Sequence, residues 1–317
     1  MKNRPIVFLG TSSFSLKTLA ALCKARFNVV GVYSRAPKPA GRSYKVQKSV
    51  VHEYADEMGI PVYCPKNFKS DEEIDQFRAL GADLAILSSY GLIIPQVLLN
   101  IPSHGFINVH ASLLPRWRGA APIRSAILAG DDKTGITVMR MDAGVDTGEI
   151  ISMKSVDIFP ETCHGELANK LGELGAEMIL ETLDDLDLHL SRSRQQPLLG
   201  ISYSKKISKD LCRICWNDSV KNILRHIKAF SPEPASWTEI DLQSNEEKRS
   251  NIRLKVYDAK IVNFPANAPC GLIHENMIVS CQNGALWLTE VQADGKNRMS
   301  GDDFLRGRRN LVGKIAR

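Results

Sequence analysis

The sequence predicts an α/β protein: a mostly parallel sheet covered by helices, followed by a smaller all-β domain. In the first half, apolar runs of four to six residues alternate with amphipathic segments of about a dozen, a pattern typical of βαβ units. Towards the C-terminus the apolar runs are punctuated by turn signals such as Asn283-Gly284 instead of helices. The length of 317 residues, 44% of them hydrophobic, is sufficient for two modest domains.

The elements of the first domain follow from hydrophobic periodicity. Buried apolar runs predict strands, and segments with one apolar side predict helices. The expected strands are Ile6–Leu9, Asn28–Tyr33, Asp83–Ser88, Phe106–His110 and Ile136–Met141. The expected helices are Ser13–Ala25, Val46–Met58, Asp71–Leu80 and Gly165–Asp187. Such a sheet binds ligands beyond the carboxyl ends of its strands, so the loops that follow strands are the candidate sites.

The chain divides into residues 1–189 as the sheet domain, 190–207 as a polar, basic linker that contains Pro and Gly, and 208–317 as the second domain. In the second domain we expect one helix and five strands that form a small barrel. The helix is Ser219–Phe230, and the strands are Trp237–Leu242, Ile252–Val262, Gly271–His274, Met277–Ser280 and Leu286–Val291.

The charge is unevenly distributed between these parts. The formal net charge is +6, yet residues 1–189 hold 20 basic and 22 acidic residues. The linker holds four basic residues and no acidic one, and residues 208–317 hold 17 basic and 13 acidic residues. The excess positive charge therefore lies in the last two-fifths of the chain, which indicates a polyanion-binding surface there.

The composition also bears on compartment. Seven cysteines are an odd number and too few for a disulfide framework, which favours a reducing environment. No apolar run reaches the roughly 20 residues of a membrane span, and a strand begins at once with no room for a signal peptide. We therefore expect a cytoplasmic protein without a membrane segment.

Two loops that follow the first strands are candidate binding segments. The turn at Gly10–Phe14 lacks the three glycines of a dinucleotide fingerprint, so it is either a capped strand–helix turn or a helix start that meets a substrate. The second loop has five like charges and two prolines that predict irregular structure, and it is either idle or in contact with a phosphate backbone. Its basic residues are Arg35, Lys38, Arg42, Lys45 and Lys48.

The stretch 105–122 is the most informative. Its strand ends with Asn108 and His110, which are two residues apart and so lie on the same face. Buried amide and imidazole groups need hydrogen-bond partners, so a structural role is open. An amide donor beside an imidazole also suits a developing oxyanion.

The loop Asp142–Glu149 is rich in glycine and carries the carboxylates Asp142 and Asp146. It could hold a divalent ion, although the spacing is not that of an EF-hand. An aspartate near His110 would instead orient the imidazole and favour its protonated form. The resulting set of Asn108, His110 and an aspartate contains no Ser or Cys nucleophile, which favours direct transfer of a carbonyl group to an amine.

The remaining motif, Cys212-Arg-Ile-Cys215, lacks a second pair at the spacing of a zinc site. We expect a local turn there, with a metal or a redox pair as the alternatives.

Two motifs together resemble the 10-formyltetrahydrofolate-dependent formyltransferases, in particular those that act on tRNA. They are Asn-Val-His-Ala-Ser-Leu-Leu-Pro-Arg-Trp-Arg-Gly-Ala-Ala-Pro-Ile at 108–123 and Asp-Ala-Gly-Val-Asp-Thr-Gly at 142–148. Ala-Phe-Ser-Pro-Glu-Pro-Ala-Ser-Trp at 229–237 resembles the same enzymes. The resemblance implies a Rossmann-like domain that binds folate, a basic linker and an OB-like barrel that binds tRNA.

The implied reaction transfers a formyl group from 10-formyltetrahydrofolate, the co-substrate, to the α-amine of methionyl initiator tRNA at the start of translation. The resemblance implies no metal, and we expect a monomer. The implied catalytic residues are Asn108, His110 and Asp146. The implied folate contacts are Ser88, Tyr90, Gly91, Leu92, Ile93, Ser112, Leu113, Pro115, Asp142, Gly144 and Val145. The implied tRNA contacts are the five basic loop residues together with Lys205, Lys206 and Lys209.

Two alternatives stay open. One is a formyltransferase for a sugar nucleotide, or a formyl-folate hydrolase, with the same fold and the same three residues. The other is a nucleic-acid-binding protein without catalysis. The basic linker and barrel favour a tRNA formyltransferase over the sugar-nucleotide or hydrolase alternative. The presence of Asn108, His110 and Asp146 argues against a protein without catalysis.

Overall fold

The computed structural model describes residues 2–40, 45–241, 251–265 and 268–317. The chain forms two units: Met1–Pro122, Lys133–Asp157 and Ala168–Lys205 make the first, and the remaining segments make the second. The second therefore includes two short segments, Ile123–Asp132 and Ile158–Leu167, besides Lys206–Arg317. The domain limits drawn from the sequence at 189 and 207 stay a proposal.

The helices and strands of residues 1–205 are numbered in chain order. The strands are β1 (Ile6–Gly10), β2 (Val29–Tyr33), β3 (Lys38–Ala40), β4 (Lys45–Gln47), β5 (Val62–Tyr63), β6 (Leu84–Ser88), β7 (Phe106–His110), β8 (Arg118–Gly119), β9 (Lys133–Arg140), β10 (Ile150–Asp157) and β11 (Tyr203–Ser204). The helices are α1 (Ser13–Lys24), α2 (Val50–Glu57), α3 (Asp71–Ala79), α4 (Gln96–Leu99), α5 (Pro122–Ala129), α6 (His164–Asp184) and α7 (Leu186–Ser191).

The first unit contains a seven-stranded sheet in the order β10-β9-β7-β6-β1-β2-β5. The pairs from β7 to β5 are parallel, which confirms the mostly parallel α/β fold, while β9 is antiparallel to both β7 and β10. The sequence analysis did not identify β10. A loop rather than a helix joins it to β9, so this edge of the sheet is a hairpin and not a βαβ unit.

Packing of buried apolar side chains holds this sheet to its helices. Strand β1 is buried along its whole length, and Val7 and Leu9 belong to one apolar cluster with Tyr33 and Phe77. Burying each aliphatic side chain contributes about 1.5–3 kcal/mol. The turn after β1 is a capped turn, because the Ser12 hydroxyl accepts a hydrogen bond from the first turn of α1.

The basic loop after β2 is partly regular, and the prediction of an irregular loop was wrong there. Strands β3 and β4 pair antiparallel, with Pro39 opposite Val46. A two-stranded ribbon has two open edges, so a proline can take part when its missing N–H faces outward.

The second unit, apart from the helical segments already given, contains α8 (Val220–Phe230), β12 (Ser236–Asp241), β13 (Asn251–Val262), β14 (Ile278–Cys281), β15 (Gly284–Ala293), β16 (Met299–Ser300) and α9 (Gly301–Arg306). Its sheet has the order β12-β13-β15-β14, and β16 pairs with β15. The β-rich second domain with five strands is thereby confirmed.

One of those five strands differs from the prediction. Residues 271–274 form only isolated bridges, at Leu272 and Ile273, and the fifth strand is β16. Gly271 has a φ of +83°, a left-handed conformation that interrupts a strand.

The titration of His164, at the start of α6 in the second unit, provides a stability prediction. Burial and the nearby Arg124 guanidinium lower the pKa of His164 from 6.5 to about 3. The unfolded chain therefore binds a proton there between about pH 6.5 and about pH 3, and the folded chain does not. We expect the free energy of unfolding to fall with decreasing pH through this range.

The His164→Gln variant is expected to lose less stability than the wild type between about pH 7 and about pH 4, because it has no proton to gain there. Urea unfolding at a series of pH values gives the slope of the free energy of unfolding against pH for each protein. Equal slopes in the two proteins would contradict this account of His164.

Three further structural observations concern motifs and membranes. Cys212 is buried and ends a 3₁₀ turn, whereas Cys215 is exposed, and burial raises the pKa of the Cys212 thiol. Within the described ranges, no group of three or more His, Cys, Asp and Glu side chains is arranged to hold a metal ion. No helix in the described part of the chain is long and apolar enough to cross a membrane.

Candidate active site

The centre of the candidate site lies on β7, a fully buried strand in the interior of the sheet. Asn108 and His110 occupy its third and last positions, and each is only 5% exposed. Alternation along the strand places both side chains on one face, as the sequence predicts. Buried polar groups of this kind require partners, and both find one in the loop between β9 and β10.

Asp146 is the shared partner. Its Oδ1 accepts a hydrogen bond from Asn108 Nδ2 at 3.2 Å, and its Oδ2 lies 3.6 Å from His110 Nδ1. Oδ2 also accepts a hydrogen bond from the backbone N–H of Gly119 at 2.7 Å. Asp146 itself has a φ of +52°, a left-handed conformation that Asp tolerates better than most residues.

The path of the loop to this position could not be deduced from a parallel sheet. Strand β9 runs antiparallel to β7, and the N–H of Met141 donates to the carbonyl of Phe106, at the first residue of β7. The loop therefore starts beside the beginning of β7, not at its carboxyl end. It folds back so that Asp146 reaches the two side chains near the end of that strand.

The hydrogen bonds of His110 define where its proton lies. Nε2 is 3.0 Å from the carbonyl oxygen of Trp117, and a carbonyl only accepts, so Nε2 carries hydrogen. Nδ1 then faces the Asp146 carboxylate. The imidazole is thereby held between a backbone carbonyl and a carboxylate.

The residues expected to contact folate differ in exposure. Ile93 is 90% exposed and Val145 60% exposed, and Gly91 and Gly144 are exposed as well. Leu92 and Leu113 are partly buried, and Asp142 is exposed and accepts hydrogen bonds from Gly144 N and Thr147 Oγ1.

Four of these residues are buried: Ser88, Tyr90, Ser112 and Pro115. The Tyr90 ring packs in the apolar cluster of the first unit, and its backbone carbonyl accepts a hydrogen bond from Thr11 Oγ1. The Ser112 hydroxyl donates to the Arg116 carbonyl. These side chains shape the loops, so a ligand would meet their backbone or their neighbours.

The basic residues are mostly exposed. Lys38, Lys205, Lys206 and Lys209 are exposed, and Lys48 is exposed but pairs with Asp56 at 2.5 Å. Arg35 is partly buried and lies 3.5 Å from the carbonyl oxygen of Gly91. The backbone of Lys45 lies in β4, and Arg42 falls outside the described residues.

Three groups at the site were not anticipated from the sequence: the Trp117 carbonyl, the Gly119 N–H and the Gln196 side chain. The first two are backbone groups and carry no residue-type signal. Gln196 Nε2 donates to the carbonyl oxygens of Asp146 and Gly148, both at 2.8 Å. It lies in the segment assigned to the linker, where a polar composition conceals its burial.

Comparison with known proteins identifies the family. The profile described as formyl transferase matches residues 4–183, and the profile described as formyl transferase, C-terminal domain, matches residues 206–309. The chain belongs to the formyl transferase family.

Curated relatives of this formyl transferase cover nearly its full length. A methionyl-tRNA formyltransferase of Paramagnetospirillum magneticum is 42% identical over 303 residues, which are 95% of this chain and 96% of the relative. A methionyl-tRNA formyltransferase of Bradyrhizobium diazoefficiens is 39% identical over the same length and shares. The resemblance drawn from the two sequence motifs is thereby confirmed.

Solved structures share the formyl transferase fold at low identity. HypX from Aquifex aeolicus, in complex with tetrahydrofolic acid, has a TM-score of 0.65 and 16% identity over 99% of this chain, which spans 48% of HypX. WlaRD, a sugar 3N-formyl transferase, has a TM-score of 0.62 and 18% identity and covers 94% of this chain and 100% of its own.

Proposed function

We propose that this formyl transferase moves the formyl group of 10-formyltetrahydrofolate to the α-amine of methionyl initiator tRNA. The observation that carries the proposal is the convergence of Asn108, His110 and Asp146 in a chain whose full-length relatives are named methionyl-tRNA formyltransferase. An amide donor, an imidazole and a carboxylate supply the stabilisation and the proton transfer that formyl transfer to an amine requires.

The proposed mechanism assigns roles to Asn108, His110 and Asp146. Asn108 Nδ2 carries two hydrogens, and since one is bonded to Asp146, the other can donate to the oxyanion that forms as the amine attacks the formyl carbon. Protonated His110 adds positive charge beside it. Asp146 balances that charge and relays the amine proton, directly or through water, to N10 of the folate. N10 takes up that proton as its bond to the formyl carbon breaks and the oxyanion becomes a carbonyl again, so the protons balance.

The residues present fit a folate. Ile93 and Val145 are large apolar side chains exposed on two loops of the first unit, so they are available to pack against a flat apolar ring. Leu92 and Met141, at the beginnings of these loops, pack on the same apolar cluster. We propose that the loops after β6 and β9 hold the flat pterin between apolar side chains and backbone hydrogen-bonding groups.

We propose that the tRNA lies along the basic residues of the linker and the second unit. Neutralising Lys205, Lys206 and Lys209 together to Ala is expected to weaken tRNA binding and to reduce the slope of log K against log salt by about 2–3. Binding measured at several salt concentrations tests this. Folate affinity should be unchanged, because the three lysines lie outside the proposed folate loops.

The matched control neutralises three exposed lysines of the first half, Lys24, Lys66 and Lys69. It changes the net charge by the same amount. An equal loss of tRNA binding in both variants would mean that net charge, and not the proposed track, governs binding.

The direct test of function is an assay of the purified chain with 10-formyltetrahydrofolate and charged initiator tRNA. Formyl-methionyl-tRNA is the expected product, with kcat/KM falling steeply as salt rises. Formyl transfer to a sugar-nucleotide amine, or hydrolysis of 10-formyltetrahydrofolate, with a rate that does not depend on salt, would overturn the proposal. We further propose that the enzyme acts as a monomer in the cytoplasm; sedimentation and cell fractionation test both points.

A further inference from the structure

Residues 193–204, which follow α7 and precede the basic Lys205, belong to the first unit and make several hydrogen bonds within it. Arg194 and Ile150 exchange two backbone hydrogen bonds, of 2.8 and 3.0 Å. Ser193 Oγ donates to Glu149 Oε2 at 2.6 Å. This end of the segment is therefore fixed beside the end of the loop that carries Asp146.

Gln196 is the most constrained side chain of the segment. It is 8% exposed, and its amide hydrogens go to the Asp146 and Gly148 carbonyls. Its Oε1 accepts from Arg118 Nε at 3.1 Å and from Arg118 Nη2 at 2.7 Å. One side chain thus uses its donors and its acceptor to join the Asp146 loop to the strand that carries Arg118 and Gly119.

The other end of the segment holds that same strand through backbone groups of residues 117–121. Ser202 Oγ accepts from the N–H of Trp117 at 3.0 Å, and the Ser202 carbonyl accepts from the N–H of Arg118 at 2.9 Å. Ser204 Oγ accepts from the N–H of Ala121 and donates to the Arg118 carbonyl, at 3.0 and 3.1 Å.

The close approach of this segment depends on Gly119. Its φ is +105°, and a Cβ at that position would lie 2.7 Å from the Ser204 carbonyl oxygen. A glycine therefore lets the linker strand β11 pair with β8 at this point.

We propose that Gln196, Ser202 and Ser204 are positioning residues that set the geometry of Asn108, His110 and Asp146. The proposal rests on the proposed function. The Trp117 carbonyl binds His110 Nε2, and the Gly119 N–H binds Asp146 Oδ2. Both groups belong to the short stretch that the two serines hold, and Gln196 holds the backbone of Asp146 itself.

The physical reason is that small displacements at a reacting centre are costly. A misplacement of about 1 Å can reduce turnover by about 10²-fold. The left-handed Asp146 has no repetitive structure to hold it, so its direction depends on the bonds that its peptide groups make. Residues 193–204 would thus support the catalytic geometry and not serve only as a linker.

The test separates the contacts of Gln196. Gln196→Glu keeps an acceptor for Arg118 but loses both donors, whereas Gln196→Met loses all of them. The control is Gln195→Met at the adjacent, exposed position, whose side chain donates to Glu149. Ser202→Ala removes the hydroxyl that Trp117 uses, and Ser202→Thr restores it.

We expect Gln196→Glu, Gln196→Met and Ser202→Ala to lower kcat about 10- to 100-fold. KM for 10-formyltetrahydrofolate and Kd for tRNA should stay close to those of the wild type. The Tm should fall in the Gln196 variants, because buried hydrogen bonds are lost, but each variant should remain folded at the assay temperature. Gln195→Met and Ser202→Thr should retain most of the wild-type kcat. A loss of kcat no larger than that of Gln195→Met, or one that comes with an equal loss of substrate binding, would overturn the proposal.

The ¹⁵N chemical shifts of the His110 ring give a readout without any substrate. We expect them to move in the Gln196 and Ser202→Ala variants and to stay in place in the controls. If the wild type shows no formyl transfer, the proposed function fails, and these shifts alone decide about positioning. Unchanged ring shifts in every variant would reject it.

Discussion

The Asp146→Asn variant is expected to lose about 10³- to 10⁴-fold in kcat, the scale seen when a carboxylate that orients a catalytic histidine is neutralised. The two carboxylate oxygens accept from different donors, Asn108 Nδ2 and the Gly119 N–H. An asparagine has one acceptor oxygen, so one donor would face its NH₂ group. The variant would also lose the negative charge opposite His110. Single-turnover formylation at saturating substrate measures the effect.

A suitable control is Asp184→Asn, which makes the same chemical change at an exposed position at the end of α6. It should turn over like the wild type. If Asp146→Asn retained more than about a tenth of the wild-type kcat, Asp146 would be a structural residue of its loop and not part of the catalytic set.

The parts of the site that sequence reasoning recovered are those with a residue-type signal at a regular spacing. Asn108 and His110 stand two apart on a buried strand, and period two is enough to place them on one face. The sequence pattern suggested that an aspartate of the 142–149 loop could orient His110, but the choice of Asp146 came from the resemblance, since this loop returns from an antiparallel hairpin. No local pattern reports that return.

The groups that were missed belong to tertiary contacts. A backbone carbonyl is present in every residue type and a backbone N–H in every type except proline, so only the fold directs those of Trp117 and Gly119 to His110 and Asp146. Gln196 was assigned to a polar linker because composition does not distinguish a solvated amide from a buried one with four hydrogen bonds. Sequence patterns therefore do not predict site groups whose position depends on contacts between residues far apart in the chain.

The secondary structure was also predicted well in some places and missed in others. Interior strands such as β1 and β7 were predicted correctly, because burial on both faces makes them continuous apolar runs. The short edge elements were not. The β3–β4 ribbon contains a proline, and β16 has only two residues, which pair with β15 while Met299 packs on the apolar core. Such elements are stabilised by their partners and carry little propensity of their own.

The Asn108→Ala variant is expected to lower kcat by about 10²- to 10³-fold, the usual cost of removing one donor to an oxyanion. Asn108 is 5% exposed, so water cannot easily replace its amide, and a donor in such an environment is stronger than in bulk solvent. The substitution also leaves Asp146 Oδ1 without its donor, which adds to the loss.

The thermal midpoint separates the two effects for Asn108. Loss of a buried hydrogen bond should lower the free energy of unfolding by about 1–3 kcal/mol, which leaves a folded enzyme at the assay temperature. Asn100→Ala, an exposed asparagine at the end of α4, is the matched control. Near-normal kcat for Asn108→Ala would assign the amide to fixing Asp146 alone. A fall in kcat with unchanged KM would instead mean that the amide acts mainly in the transition state, as the position of its second N–H predicts.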